Sequence, residues 1–122
     1  MKGLSLVLAI VILLSACANL EENKLVGKWQ AVSITEDGMP MPIPPAEVGF
    51  EFFNNGFYNY RSTLSYKEAG KFSVENGMLY TMDTLNKAST EKSVQILDIA
   101  QDSFSIKMNN EGKIQVVRLH RQ

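Results

Sequence analysis

Short β-favouring runs alternate with turn signals along most of the chain, and this spacing restricts the fold more than any other feature. The runs are "VGKWQAVSI" (26–34), "VGFEFF" (48–53), "FYNYR" (57–61), "GKFSV" (70–74), "MLYTM" (78–82), "KSVQILDI" (92–99), "SFSIKM" (103–108) and "KIQVVRL" (113–119). They predict eight strands and no helix. So many short strands in a small domain point to an all-β fold, a barrel or a sandwich.

Register is legible at the hairpins. A three-residue loop over Asn54-Asn55-Gly56, with glycine in the left-handed position, pairs Phe53 with Phe57. Phe52 then faces Tyr58 and Phe50 faces Tyr60. These four aromatics share the inner face, leaving Glu51, Asn59 and the Phe53–Phe57 pair outside. Asn76-Gly77 marks another hairpin, open to a two- or a three-residue loop. In "SFSIKM", Phe104, Ile106 and Met108 alternate inward with Ser105 and Lys107 outward.

In an up-and-down order, the links after the second, fourth and sixth strands (54–56, 75–77, 100–102) are tight. Those after the first, third and fifth (35–47, 62–69, 83–91) are long, and the last, 109–112, is short. Alternate links share one end of such a barrel, so one end is closed by turns and the other is rimmed by loops. The expected shape is a cup. Four prolines in "GMPMPIPP" (38–45) remove backbone donors and exclude a central strand there.

The chain has 122 residues, 45% of them hydrophobic, with 12 Lys+Arg against 13 Asp+Glu, which suits one small domain and leaves no basic footprint for nucleic acid. Its single cysteine, Cys17, cannot close an internal disulfide. Lys2 and the 11-residue apolar stretch Leu4 to Leu14 read as a signal peptide too short to span a bilayer comfortably. Leu14-Ser15-Ala16-Cys17 resembles the lipobox of bacterial lipoproteins. That resemblance implies removal of residues 1–16, lipid on Cys17, a polar tether over 17–24 and a domain over 25–122. Acyl chains buried at about 0.8 kcal/mol per methylene would hold the protein on a membrane. The expected address is the bacterial cell envelope, on the periplasmic or outer face of the outer membrane.

"LVGKW" (25–29) is similar to the Gly-x-Trp opening of lipocalins. The ordered set that follows, "FEFFNNGFYNY", "GKFSVENGMLY", "ILDIAQDSFSIKM" and "VVRLHR", resembles the small lipocalin-like domains of Bacteroidetes lipoproteins. The resemblance covers most of residues 25–121 and implies an antiparallel up-and-down barrel of about eight strands, of calycin type. It also implies that Trp29 packs at the closed end against an arginine near the end of the last strand, Arg118 or Arg121. The proline-rich loop takes the place of the lipocalin lid, with Met39, Met41 and Ile43 as its apolar surface; lid and plug are both open readings. The chain departs from full lipocalins in its length and in lacking disulfides. His120 stands where an Arg-x-Tyr carboxylate clamp would need tyrosine.

Catalytic patterns are sparse. Ser89-Thr90-Glu91-Lys92 fits S-x-x-K, but the companion S-D-N and K-T-G elements are missing. One histidine and one cysteine cannot supply the usual zinc sets, and no phosphate loop is present. No enzyme activity, cofactor or metal is expected. Two functions of different kind remain. One is a binder of a small apolar ligand, with Met41 and Ile43 at the mouth and Phe50, Phe52, Tyr58, Tyr60, Phe72, Phe104 and Ile106 as candidate lining. The other is a filled barrel whose loops dock an envelope protein.

Overall fold

The computed structural model describes residues 21–86 and 91–122; the signal segment, Cys17 and the first part of the tether lie outside the described residues. Among the described residues nine strands follow in chain order: β1 (Gly27–Glu36), β2 (Met39–Pro40), β3 (Gly49–Phe52), β4 (Phe57–Arg61), β5 (Lys67–Glu75), β6 (Met78–Asp83), β7 (Glu91–Ile99), β8 (Ser103–Asn110) and β9 (Lys113–Arg121). Each of the eight expected strands is present, and β5 begins three residues earlier than its sequence signal. The ninth is the two-residue β2, which pairs with the end of β1 through Thr35–Pro40 and Glu36–Met39. The proline-rich stretch is thus a loop that touches the sheet edge once. It remains clear of any central position.

All neighbours from β3 to β9 pair antiparallel, and β1 pairs with both β3 and β9. The sheet therefore closes on itself as an eight-strand up-and-down barrel, with β2 as an appendage and every long edge satisfied.

Turn chemistry sets the register. Phe50 faces Tyr60 and Phe52 faces Tyr58 across the β3–β4 hairpin, while the Phe53 amide donates to the Phe57 carbonyl at 2.9 Å. Glu75 faces Met78, so Asn76-Gly77 forms the two-residue alternative; both residues have positive φ, 51° and 74°, as a type I′ turn requires.

Two bulges change the alternation. Register shifts between Ala31 and Ser33 on β1 and between Ile96 and Asp98 on β7, which sends Val32 and Leu97 outward. Ala31 and Ile34 then both reach the interior, as do Ile96 and Ile99.

The turns at 53–56, 76–77 and 100–102 lie at the end where β1 begins and β9 finishes. The loops at 37–48 and 62–66 and the described residues 84–86 lie at the other end. The closed end is filled by side chains. Trp29, Phe52, Tyr58, Phe104, Leu25 and Leu119 are all essentially without solvent contact. Trp29 meets Phe104 edge-on at 4.7 Å between centroids, and Phe52 meets Phe72 at 4.8 Å.

Residues 21–24, expected to belong to the tether, are helical together with Leu25 and part of the fold. Leu25 is fully buried, the Trp29 indole Nε1 donates to its carbonyl at 2.8 Å, and Glu22 Oε1 accepts from the Val74 amide at 3.3 Å. The apolar leucine drives this docking, and the turn caps the barrel floor.

Candidate functional site

Above the filled floor, in the half of the barrel next to the long loops, lies a cavity of about 160 Å³. Its wall is built by inward positions of seven strands. Phe50 comes from β3, Tyr60 from β4, Glu68 from β5, Leu79 and Thr81 from β6, Lys92 and Val94 from β7, Ile106 and Met108 from β8, and Val117 from β9, with Val48 just before β3. The period of two brings these side chains inward; the tilt of a closed barrel brings them to one height.

The wall is apolar except on one side, where Glu68 is buried. Its Oε1 accepts from the Tyr58 hydroxyl at 2.9 Å, and its Oε2 accepts from the Tyr66 hydroxyl at 2.7 Å and from Lys92 Nζ at 2.6 Å. Burial alone would raise the Glu68 carboxyl, but the donors Lys92, Tyr66 and Tyr58 outweigh it and hold the group below its ordinary value. The same contacts act in reverse on the partners. Burial and then Glu68 push the Tyr58 hydroxyl well up, the bond to Glu68 raises Tyr66, and the bond to Glu68 raises Lys92 against the effect of burial. Glu68 is an anion with its oxygens occupied, and Lys92 is a firmly held cation. Neither is poised as a base or a nucleophile, so this cluster suits binding rather than proton transfer.

Asp83 at the end of β6 is buried beside the same rim. It accepts from the amides of Ala69 and Leu85 at 3.3 and 3.0 Å and from Asn86 Nδ2 at 2.5 Å. Burial would raise its carboxyl; Asn86 and those amides hold it low. It staples the rim turn to β5. Among the described residues no group of three or more His, Cys, Asp or Glu stands together as a metal site.

Several site assignments from the sequence need correction. Phe50, Tyr60 and Ile106 line the cavity, but Phe52, Tyr58, Phe72 and Phe104 belong to the filled floor beneath it. Met41 and Ile43 are half-buried and packed against the core without lining the cavity. The proline loop runs down the side of β1 instead of across the mouth, held by Gln30, whose Nε2 donates to the carbonyls of Pro45 and Val48 at 2.7 and 2.9 Å. Arg118 is on the outer face. Arg121 is the arginine over the indole, its guanidinium 4.2 Å from the Trp29 ring. It also donates to the carbonyls of Gln101, Val26 and Lys24.

Sequence reasoning missed Glu68 and Lys92. The signal existed, since Glu68, Phe72 and Val74 share one parity on β5, as do Lys92, Val94 and Ile96 on β7. Starting β5 at Gly70 left Glu68 in a link.

A family model described as a lipocalin-like domain matches residues 25–114. Among solved structures, a lipocalin-like protein from Bacteroides uniformis is similar with a TM-score of 0.62 at 16% identity, covering 81% of this chain and 99% of that one. An uncharacterized protein from Bacteroides eggerthii is similar with a TM-score of 0.55 at 10% identity, covering 80% and 99%. At these identities the likeness concerns the fold. No curated protein matches the chain.

Proposed function

The chain belongs to the lipocalin-like domain family, and from that premise we propose that it holds a small apolar molecule in the upper half of its barrel, while lipid on Cys17 ties it to a membrane of the bacterial envelope. The observation that carries the binding reading is the cavity of about 160 Å³ whose wall is apolar except at Glu68, Thr81 and Lys92. That volume is close to the roughly 150 Å³ of an engineered apolar cavity that takes benzene, and well below the roughly 300–1,000 Å³ of drug-sized pockets. The ligand is therefore the size of one ring or a short branched chain, too small for a long acyl tail enclosed along its length.

Val94→Phe fills the wall from β7 and tests this reading. The parent should show saturable chemical-shift changes at Val94, Ile106 and Val117 when titrated with small apolar molecules, and the variant should lose them while unfolding at a similar or higher denaturant concentration. A parent without such changes would sink the carrier reading.

The anchor has its own test. Cys17→Ser should release the protein from the membrane fraction; unchanged retention would contradict lipidation there. A second reading, docking of an envelope protein at the loop end, draws support from Leu64, which is 98% exposed at φ 58°, and from the exposed Leu85 and Met39 on the same rim. Pull-down with Leu64→Asp and Leu85→Asp variants separates it from the carrier reading, since neither residue lines the cavity.

A further inference from the structure

Resting on the cavity as a ligand site, we propose that Lys92, clamped by Glu68, is its polar anchor, and that it selects uncharged ligands with one hydrogen-bond acceptor, such as a ketone or ester oxygen on a ring-sized apolar body. The barrel gains nothing in closure from this pair: the strand pairings run through backbone groups, and apolar side chains at both positions would complete the wall. Burying a carboxylate is costly unless it is fully partnered, and the chain supplies three donors, from β4, β7 and the loop before β5, to meet that cost. What the arrangement provides is an ammonium fixed at the edge of an apolar cavity.

The bonding capacities decide what it can receive. Both Glu68 oxygens are occupied, so the carboxylate has little left to offer a ligand donor. Lys92 has three N–H donors, and among the described residues one is used, on Glu68 at 2.6 Å. Its side chain lines the cavity and is half-exposed whereas that of Glu68 is 7% exposed, so the ammonium sits where the wall meets solvent, with donors to spare. A carboxylate ligand would have to share the ammonium with the buried Glu68 anion, and the repulsion between the two cancels most of its gain. An amine would meet the Lys92 cation directly. A hydrocarbon would fill the wall and leave the spare donors unused. An uncharged acceptor satisfies a donor without adding a charge.

Four probes of similar size, toluene, acetophenone, benzoate and benzylamine, titrated into the purified protein and followed by shifts of cavity-lining methyl groups, test this choice. Acetophenone should bind about ten-fold more tightly than toluene, the worth of one hydrogen bond to a charged donor, and more tightly than either ion. Lys92→Met should bring acetophenone to the level of toluene measured on the same variant, removing the roughly ten-fold difference between the two probes. The double variant Glu68→Gln/Lys92→Met, which leaves no unpaired buried charge, should behave likewise if the single variant folds poorly. Equal affinities for toluene and acetophenone, preference for benzoate, or indifference to Lys92→Met would each overturn the anchor while leaving the cavity reading intact. Failure of all four probes to bind would overturn both.

Discussion

At Trp29 the sequence held the partner to within two candidates, and geometry chose between them. Strand parity separates Arg118 from Arg121 once Val117 and Leu119 are known to face inward, and what holds Arg121 in place is the cluster of carbonyls at the floor, from Lys24, Val26 and Gln101, which only the folded chain assembles. Gly27 belongs to the same arrangement: its φ is 133°, and a Cβ there would collide with Nη1 of Arg121. The glycine of Gly-x-Trp is thus required by the arginine as well as by its own backbone. Trp29→Ala should cost about 3–5 kcal/mol in urea unfolding and Arg121→Ala about 2 kcal/mol, whereas Arg118→Ala should stay within about 0.5 kcal/mol. Equal losses for the two arginines would contradict the assignment. Glu68 sets the pH response. Its folded value lies below the ordinary 4.5, so its contribution is present above about pH 4.5 and is lost as pH falls through the lower folded value. Tyr58 and Tyr66 lie above their ordinary 10.0, so their contribution is present below about pH 10 and is lost as pH rises further. Unfolding midpoints should form a plateau between these limits, and Glu68→Gln should shrink the acid-side loss to the part owed to Asp83. An acid limb unchanged by that substitution would show that the cluster does not govern it.

Elements were legible where local chemistry alone decides them. Asn54-Asn55-Gly56 and Asn76-Gly77 impose their turns through left-handed positions, and once a turn is set, pairing follows along both strands. The bulges at Val32 and Leu97 were not legible, because no special residue marks them; they arise where closure of the barrel demands extra bend, a constraint carried by all the strands together. Residues 21–24 were misjudged for a related reason. The polar run "EENK" reads as tether, yet the buried Leu25 and the carboxylate of Glu22 bind it to the floor. Leu25→Ala should therefore destabilise the whole barrel by about 2–5 kcal/mol, the range for truncating a buried leucine, as read by equilibrium unfolding. A change of a few tenths would return this segment to the status of a linker.

For the molecule as a whole, the alternation of tight and long links specified a cup, and the closed barrel has that shape. Whether the cup is filled or hollow was beyond the sequence, since it depends on how far each side chain reaches into the lumen. The structure is divided: aromatic side chains fill the half near the chain entry, and shorter Val, Leu, Thr and Ile leave space in the half near the loops. This division changes what the proline loop should do. Met41 and Ile43 pack on the core beside the cavity, and the Met41 amide donates to the Ile34 carbonyl at 3.0 Å, so the loop acts as a plug along β1 and not as a gate over the mouth. Replacing both with Asp places two charges against buried apolar surface and should lower stability by about 2–4 kcal/mol. Under conditions where the variant remains folded, its affinity for a cavity probe should stay within about three-fold of the parent, because neither side chain belongs to the wall. A denaturant titration gives the first quantity and a probe titration at low temperature the second. An unchanged unfolding midpoint together with lost probe binding would make the loop a ligand lid after all, and would place the entrance of the cavity on the β1–β3 side.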